Sequence, residues 1–195
     1  EANGTCTTCP AGMASAGLLS ACEACPVGSA AAKVLAFPTF EAFPSPHMTT
    51  GCVGDCVSAN SGWVASNGVL RTGNGIGRFA NIWLQLSVNL SQPGVVVFGY
   101  TATAGPDSEL ELSVDGVTQR LPWTSSVSTH SISISSAGVH TVVWALRRYS
   151  SQPTEASATL TSVSVSGVTV GGAASCQKCS PGWYAPAGSA SCSMC

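Results

Sequence analysis

The residues best placed to do chemistry in this sequence are its ten cysteines. Eight of them form two copies of one spacing, C-x2-C-x12-C-x2-C. Cys6, Cys9, Cys22 and Cys25 stand near the start; Cys176, Cys179, Cys192 and Cys195 stand at the end. Cys52 and Cys56 make the remaining pair. Thiols two residues apart serve either zinc or disulfides. Zinc ribbons separate their pairs by roughly 15–20 residues, whereas the spacer here is 12 and Cys9, Cys25 and Cys179 lead into Pro-x-Gly or Ser-Pro-Gly. An even cysteine count at such spacings predicts disulfides in an oxidising compartment. Two sequons, Asn3-Gly-Thr5 and Asn89-Leu-Ser91, fit the same compartment, so N-glycans are expected partners.

Other chemistry is sparse. Glu109 and Glu111 share one face of an expected strand, as a glycosidase carboxylate pair would. Nothing in the sequence nearby would raise the pKa of one of them, so a solvated face is the expectation. His47, His130 and His140 form no H-x-x-x-H ligand pair, and no Gly-x-Ser-x-Gly elbow exists. Gly73-Asn-Gly-Ile-Gly77 lacks the spacing and following helix of a nucleotide loop and is expected to be a loop or bulge. A structural calcium site would draw on Asp55 or Asp107. Neither a catalytic residue nor a cofactor is expected. Trp63, Trp83 and Trp123 are the candidates for stacking on a sugar ring, the apolar-body, polar-tip use of such side chains. Trp144 lies in a strongly apolar strand and is expected in the core.

Composition narrows the classes. Charged residues are 8% of the 195, against roughly 25% in an average soluble protein. With 45% hydrophobic residues and a net charge of −2, a folded chain with a Ser-, Thr- and Gly-rich surface follows. Such a surface has little charge repulsion to keep copies apart, so glycans or neighbouring molecules are expected to cover it. Seven Lys and Arg argue against nucleic acid. No apolar run approaches 18 residues, so no membrane-spanning segment is expected. The opening Glu1-Ala-Asn-Gly-Thr5 and the closing Cys195 suggest a piece of a longer protein.

The elements that must position these residues are strands. Residues 1–33 and 174–195 are too poor in large apolar side chains to build a core and need crosslinks. Residues 34–173 are expected to form the folded domain. Prolines 38, 44 and 46 make 34–62 irregular, with Phe37, Phe40 and Phe43 as a lid on the core. From Trp63 onward period-two alternation dominates. Ile82, Leu84, Leu86, Val88 and Leu90 face inward; Asn81, Trp83, Gln85, Ser87 and Asn89 face outward, which puts the Asn89 sequon on the surface. Further strands are expected over Gly94–Thr103, Glu109–Val114, Val117–Leu121, Ser128–Ser135 and Val139–Tyr149, with a strand pair over Ala158–Val170. Asp115-Gly116 is a two-residue hairpin signal. Eight to ten strands without a helix predict an all-β, antiparallel, jelly-roll-like β-sandwich inserted between two small disulfide-rich repeats.

The run from Cys179 through Gly182, Tyr184, Gly188 and Cys192 to Cys195 resembles the ephrin-receptor-like cysteine-rich repeat, and the first half of tumour-necrosis-factor-receptor repeats. The N-terminal copy carries Ala14 where that pattern has Tyr. The resemblance implies the bridges Cys9–Cys22 and Cys179–Cys192, and a Cys25–Cys176 bridge across the neck of the inserted domain. Cys52–Cys56 would be a local bridge. Cys6 and Cys195 would pair with outside modules or with each other. The alternative is a local interlock, Cys6–Cys22 with Cys9–Cys25 and likewise at the other end. The order of cysteine repeat, aromatic-proline segment, cysteine pair, sandwich and cysteine repeat is similar to ectodomains of the endosome–lysosome-associated, estrogen-induced type I membrane proteins. The Ala/Ser/Gly/Val bias also resembles green-algal surface and mastigoneme glycoproteins.

Together these features lead to an expected non-catalytic extracellular structural module of a larger cell-surface or secreted glycoprotein, packing against copies or neighbouring modules. The alternative is a carbohydrate- or ligand-binding receptor segment.

Overall fold

The computed structural model describes residues 13–14, 22–41, 43, 45–56, 62–72, 79–105, 107–149, 156–168, 173–179, 182–189 and 192–195. Strands and turns make up these residues, and no helix occurs among them. In chain order the strands are β1 (Met13–Ala14), β2 (Glu23–Ala24), β3 (Ser29–Phe37), β4 (Met48–Val53), β5 (Trp63–Ser66), β6 (Val69–Thr72), β7 (Asn81–Leu90) and β8 (Gly94–Thr103). They continue with β9 (Ser108–Val114), β10 (Val117–Arg120), β11 (Thr124–Ile134), β12 (Gly138–Arg148), β13 (Ser157–Ser166), β14 (Ala173–Lys178), β15 (Trp183–Tyr184) and β16 (Ser193–Met194).

Two antiparallel sheets form a jelly-roll-like sandwich. One has the order β10-β9-β12-β7-β4; the other runs β11-β8-β13-β3-β14, with the β5–β6 hairpin joined through β6 to β13. From β7 to β13 the chain crosses from sheet to sheet at every step except the β9–β10 hairpin, which stays within the five-stranded sheet. That wrapping follows from the alternation: each long strand is apolar on one face only and must find an opposing layer. Ile82, Leu84, Leu86, Val88 and Leu90 of β7 are all buried, as are Val142, Trp144 and Leu146 of β12. Val96, Phe98 and Tyr100 of β8 meet them from the other sheet, with Phe98 edge-on to Trp144 at 5.3 Å. Each such fully buried side chain contributes about 1.5–3 kcal/mol relative to exposure.

Several local expectations need correction. Among the described residues, 158–168 hold one strand, β13, rather than a strand pair, with a bulge between Leu160 and Ser162. Ala158 and Leu160 point inward before the bulge, Val163 and Val165 after it, because one extra residue flips the phase of a period-two element. Thr161 is that residue. Gly99 stands opposite, where a Cβ would lie 2.4 Å from Thr161 Oγ1. The stretch 34–62 is not wholly irregular either, since it contains the end of β3 and all of β4. Pro38 follows β3 and Pro46 precedes β4, so both sit outside the ladders. Phe40 is buried, and Phe37 stacks on it at 6.3 Å. The sandwich also extends past the expected limits at 33 and 173: β3 begins at Ser29, and β14 pairs with it as far as Lys178↔Ser29.

The two cysteine-rich ends therefore leave the sandwich side by side. Cys25 and Cys176 are joined, with Cα atoms 5.4 Å apart and a sequence separation of 151. This bond excludes the local interlock that would give Cys25 to Cys9. Cys52–Cys56 and Cys179–Cys192 are also joined. Cys22 is disulfide-bonded, while Cys195 is free and exposed. Cys6, Cys9, the Asn3 sequon and Gly73–Gly77 lie outside the described residues. Each end carries a pair of two-residue antiparallel strands, Met13↔Ala24 in β1–β2 and Trp183↔Met194 in β15–β16. Backbone bonds tie the ends together: Gly28 N–H to Ala185 O, Cys179 N–H to Gly28 O and Gly188 N–H to Cys25 O. The Cys192 N–H donates to Gln92 Oε1 at 2.8 Å, docking the C-terminal repeat on the β7–β8 turn. No helix among the described residues is long and apolar enough to cross a membrane.

Candidate binding face

The outer face of the five-stranded sheet gathers residues that are far apart in sequence. Antiparallel register fixes which side chains become neighbours. Trp83 on β7 pairs with Gly51 on β4 and with Ala145 on β12. Ala145 in turn pairs with Glu111 on β9, and Glu111 with Arg120 on β10. One rung away run Gln85, Val143, Ser113 and Thr118; on the other side lie Asn81, Arg147 and Glu109. Alternation along each strand turns all of these away from the core.

Trp83 is set between small neighbours. Its indole lies across Gly51, where a Cβ would meet Cζ2 at 2.5 Å and Cε2 at 2.8 Å. The methyl of Ala145 keeps the opposite flank low. The ring is half-buried and held without closing over. A cleft of about 330 Å³ opens beside it, lined in part by Asn81, Gln85, Glu111, Thr118 and Arg147.

Charges on this face are matched. Arg147 Nε lies 2.7 Å from Glu111 Oε2, without the alignment of an N–H···O hydrogen bond. Arg120 pairs with Glu109, whose other oxygen accepts from the Tyr149 hydroxyl at 3.2 Å. Both carboxylates of the Glu109/Glu111 pair are thus held by guanidinium groups. The buried Oδ1 of Asn81 has no hydrogen-bond partner. What remains is a neutral platform: one indole with amide, hydroxyl and ion-paired groups around it. Such a surface can stack against an apolar ring face while exchanging hydrogen bonds with hydroxyls at its edge.

The other two tryptophan candidates do not join this face. Trp63 is 2% exposed and belongs to the core, because β5 folds back on β6 and turns the ring inward. Its backbone N–H donates to Thr50 Oγ1 at 2.7 Å. Trp123 is half-buried against the same core. Trp144 is core.

His140, on β12, ties local structure together. Its buried ring bridges two turns, with Nδ1 2.7 Å from Asp115 Oδ2 and Nε2 3.0 Å from the carbonyl of Ser136. Asp115 also accepts the Thr141 N–H at 2.8 Å. These two bonds, His140 first, hold the Asp115 carboxyl below its ordinary pKa. Asp115 and Gly116 both have positive φ, 50° and 85°, as the two-residue hairpin requires. Among the described residues no group of three or more His, Cys, Asp or Glu side chains is gathered as metal ligands.

No family model and no curated protein matches the chain. Among solved structures, it is similar to the secreted serine protease VesC from Vibrio cholerae, at 17% identity and a TM-score of 0.47 over 60% of this chain. It is similar to a family two carbohydrate esterase from Cellvibrio japonicus, at 12% identity and a TM-score of 0.45 over 72% of this chain. The chain spans 23% of the protease and 35% of the esterase. It is also similar to a family 29 carbohydrate-binding module from Piromyces equi, at 8% identity and a TM-score of 0.45, covering 70% of this chain and 91% of that one.

Proposed function

We infer that the chain is a non-catalytic carbohydrate-binding module, carried between cysteine-rich repeats of an extracellular protein, and that the Trp83 face takes a neutral sugar. The observation that carries this reading is the setting of Trp83. A half-buried indole is seated over Gly51, beside Ala145, in a charge-balanced field of Asn81, Gln85, Glu111 and Arg147. Neutralised charges favour hydroxyl-rich ligands over anions or cations. The crosslinks support an oxidising compartment.

The test is a glycan array on the purified chain, followed by calorimetry with the best neutral oligosaccharide. Saturable binding is expected, with Trp83→Ala weakening it at least about tenfold, or 1.4 kcal/mol. Absence of saturable binding across the array, or equal binding by the variant, would overturn the assignment.

One observation favours a second reading, a structural building block that packs against copies or neighbours. The neck bridge and the backbone bonds between the repeats make the two ends one continuous, crosslinked unit. Concentration-dependent sedimentation separates the readings, since a packing module associates without sugar.

A further inference from the structure

The second sequon stands at the rim of an apolar groove lined by β7 and β12 of one sheet and by Leu35 of β3 from the other. The groove measures about 340 Å³, and its lining includes Leu35, His47, Val88, Asn89, Val139 and Val168. Val88 and Val168 of this lining are buried. Val139, the second residue of β12, is 75% exposed. Its direct cross-strand partner is Asn89, so the two side chains leave the same face as immediate neighbours. Asn89 is exposed.

We propose that Asn89 carries an N-linked glycan whose first N-acetylglucosamine lies on Val139 and fills the groove, making the glycan part of the folded surface. The occupant is tethered at the groove's rim, so seating it costs little further loss of translational freedom. The ring's C–H face and acetyl methyl suit the valines. Its hydroxyls and acetamide remain free to meet His47 and water. Attachment forms the bond from Asn89 Nδ2 to the anomeric carbon of the sugar. It breaks that carbon's bond to the diphosphate of a lipid-linked oligosaccharide donor, and the Nδ2 proton leaves with the lipid diphosphate.

The chain is expressed in a host that performs N-glycosylation, and Asn89 occupancy is read by peptide mass spectrometry. Thermal midpoints are then compared for the intact glycoform, the same material trimmed enzymatically to one N-acetylglucosamine, and fully deglycosylated protein. Occupancy is expected, with the first two forms alike and the third lower by roughly 2–4 °C. In Val139→Ser the glycan-dependent gain should vanish while occupancy persists. Because Val139 is exposed, this variant folds, and both arms are read on folded protein. An unoccupied Asn89, midpoints unchanged by deglycosylation, or a gain that survives in Val139→Ser would each overturn the proposal.

Discussion

His140 and Asp115 meet at 2.7 Å and so fasten the β9–β10 turn to the start of β12. The other ring nitrogen faces the Ser136 carbonyl, which brings the β11–β12 turn into the same clasp.

Acid should loosen this clasp. The Asp115 carboxyl is held below its ordinary value, chiefly by His140 and then by the Thr141 N–H. A depressed carboxylate adds stability above the unfolded pKa of about 3.9, and that stability is lost as pH falls through the folded value. Thermal midpoints measured from pH 6 downward should therefore fall more steeply for wild type than for Asp115→Asn. Replacing His140 by Ala at neutral pH removes a buried hydrogen-bonding group and should cost about 1–3 kcal/mol by urea titration.

Gly51→Ala tests the seating of Trp83. The new methyl would occupy the space 2.5 Å from Cζ2, so the indole must move. Its neighbour is a side chain rather than backbone, so the fold should persist with a loss of about 1 kcal/mol. Sugar binding should fall nearly as far as in Trp83→Ala, and near-ultraviolet circular dichroism should report the displaced ring.

Gly99→Ala tests the bulge in β13. A Cβ there would lie 2.4 Å from Thr161 Oγ1 and 3.1 Å from Ser162 Oγ. We expect a loss of about 1–3 kcal/mol. Adding Thr161→Ala should recover part of it, and the double-mutant cycle gives the coupling directly.

The neck bridge closes a very long loop. In the chain-entropy account a 100-residue loop is worth about 4.7 kcal/mol, and this one is longer. Cys25→Ser with Cys176→Ser should lower stability by roughly 3–5 kcal/mol and raise the denaturant slope, because the unfolded state expands. The β3–β14 pairing retains the native neck geometry, so the sheets should still form.

Long alternating strands were legible from residue types alone. Ile82 through Leu90 needed only period two, and Asp115-Gly116 needed only the φ requirement of its turn. Shorter elements escaped for physical reasons. β3 opens with an alanine-rich run that carries no alternation, and β4 is mostly small and polar because it is an edge strand. One extra residue at Thr161 makes a continuous strand look like two. Of the candidate face, alternation within single strands exposed Asn81, Trp83 and Gln85 together, and Glu109 with Glu111, but not how those strands combine. Gly51, Ala145, Glu111 and Arg147 join Trp83 through cross-strand register, and no local pattern encodes which strands become neighbours. Trp63 misled because its ring is turned inward by a hairpin whose docking on β13 is a tertiary event.

The Cys25–Cys176 bond also sets a load path. Tension applied through the two cysteine-rich ends enters at Cys25 and leaves at Cys176 without passing along the chain between them, a sequence separation of 151. At about 3.3–3.6 Å per residue that interval would extend to roughly 500 Å if it were free to unravel. With the bond intact this length is withheld, and the sandwich hangs beside the line of force as a pendant that stretching cannot unfold. Reduction of one covalent bond would put the whole β-sandwich in series with the pull and turn a short, stiff link into a long, extensible one.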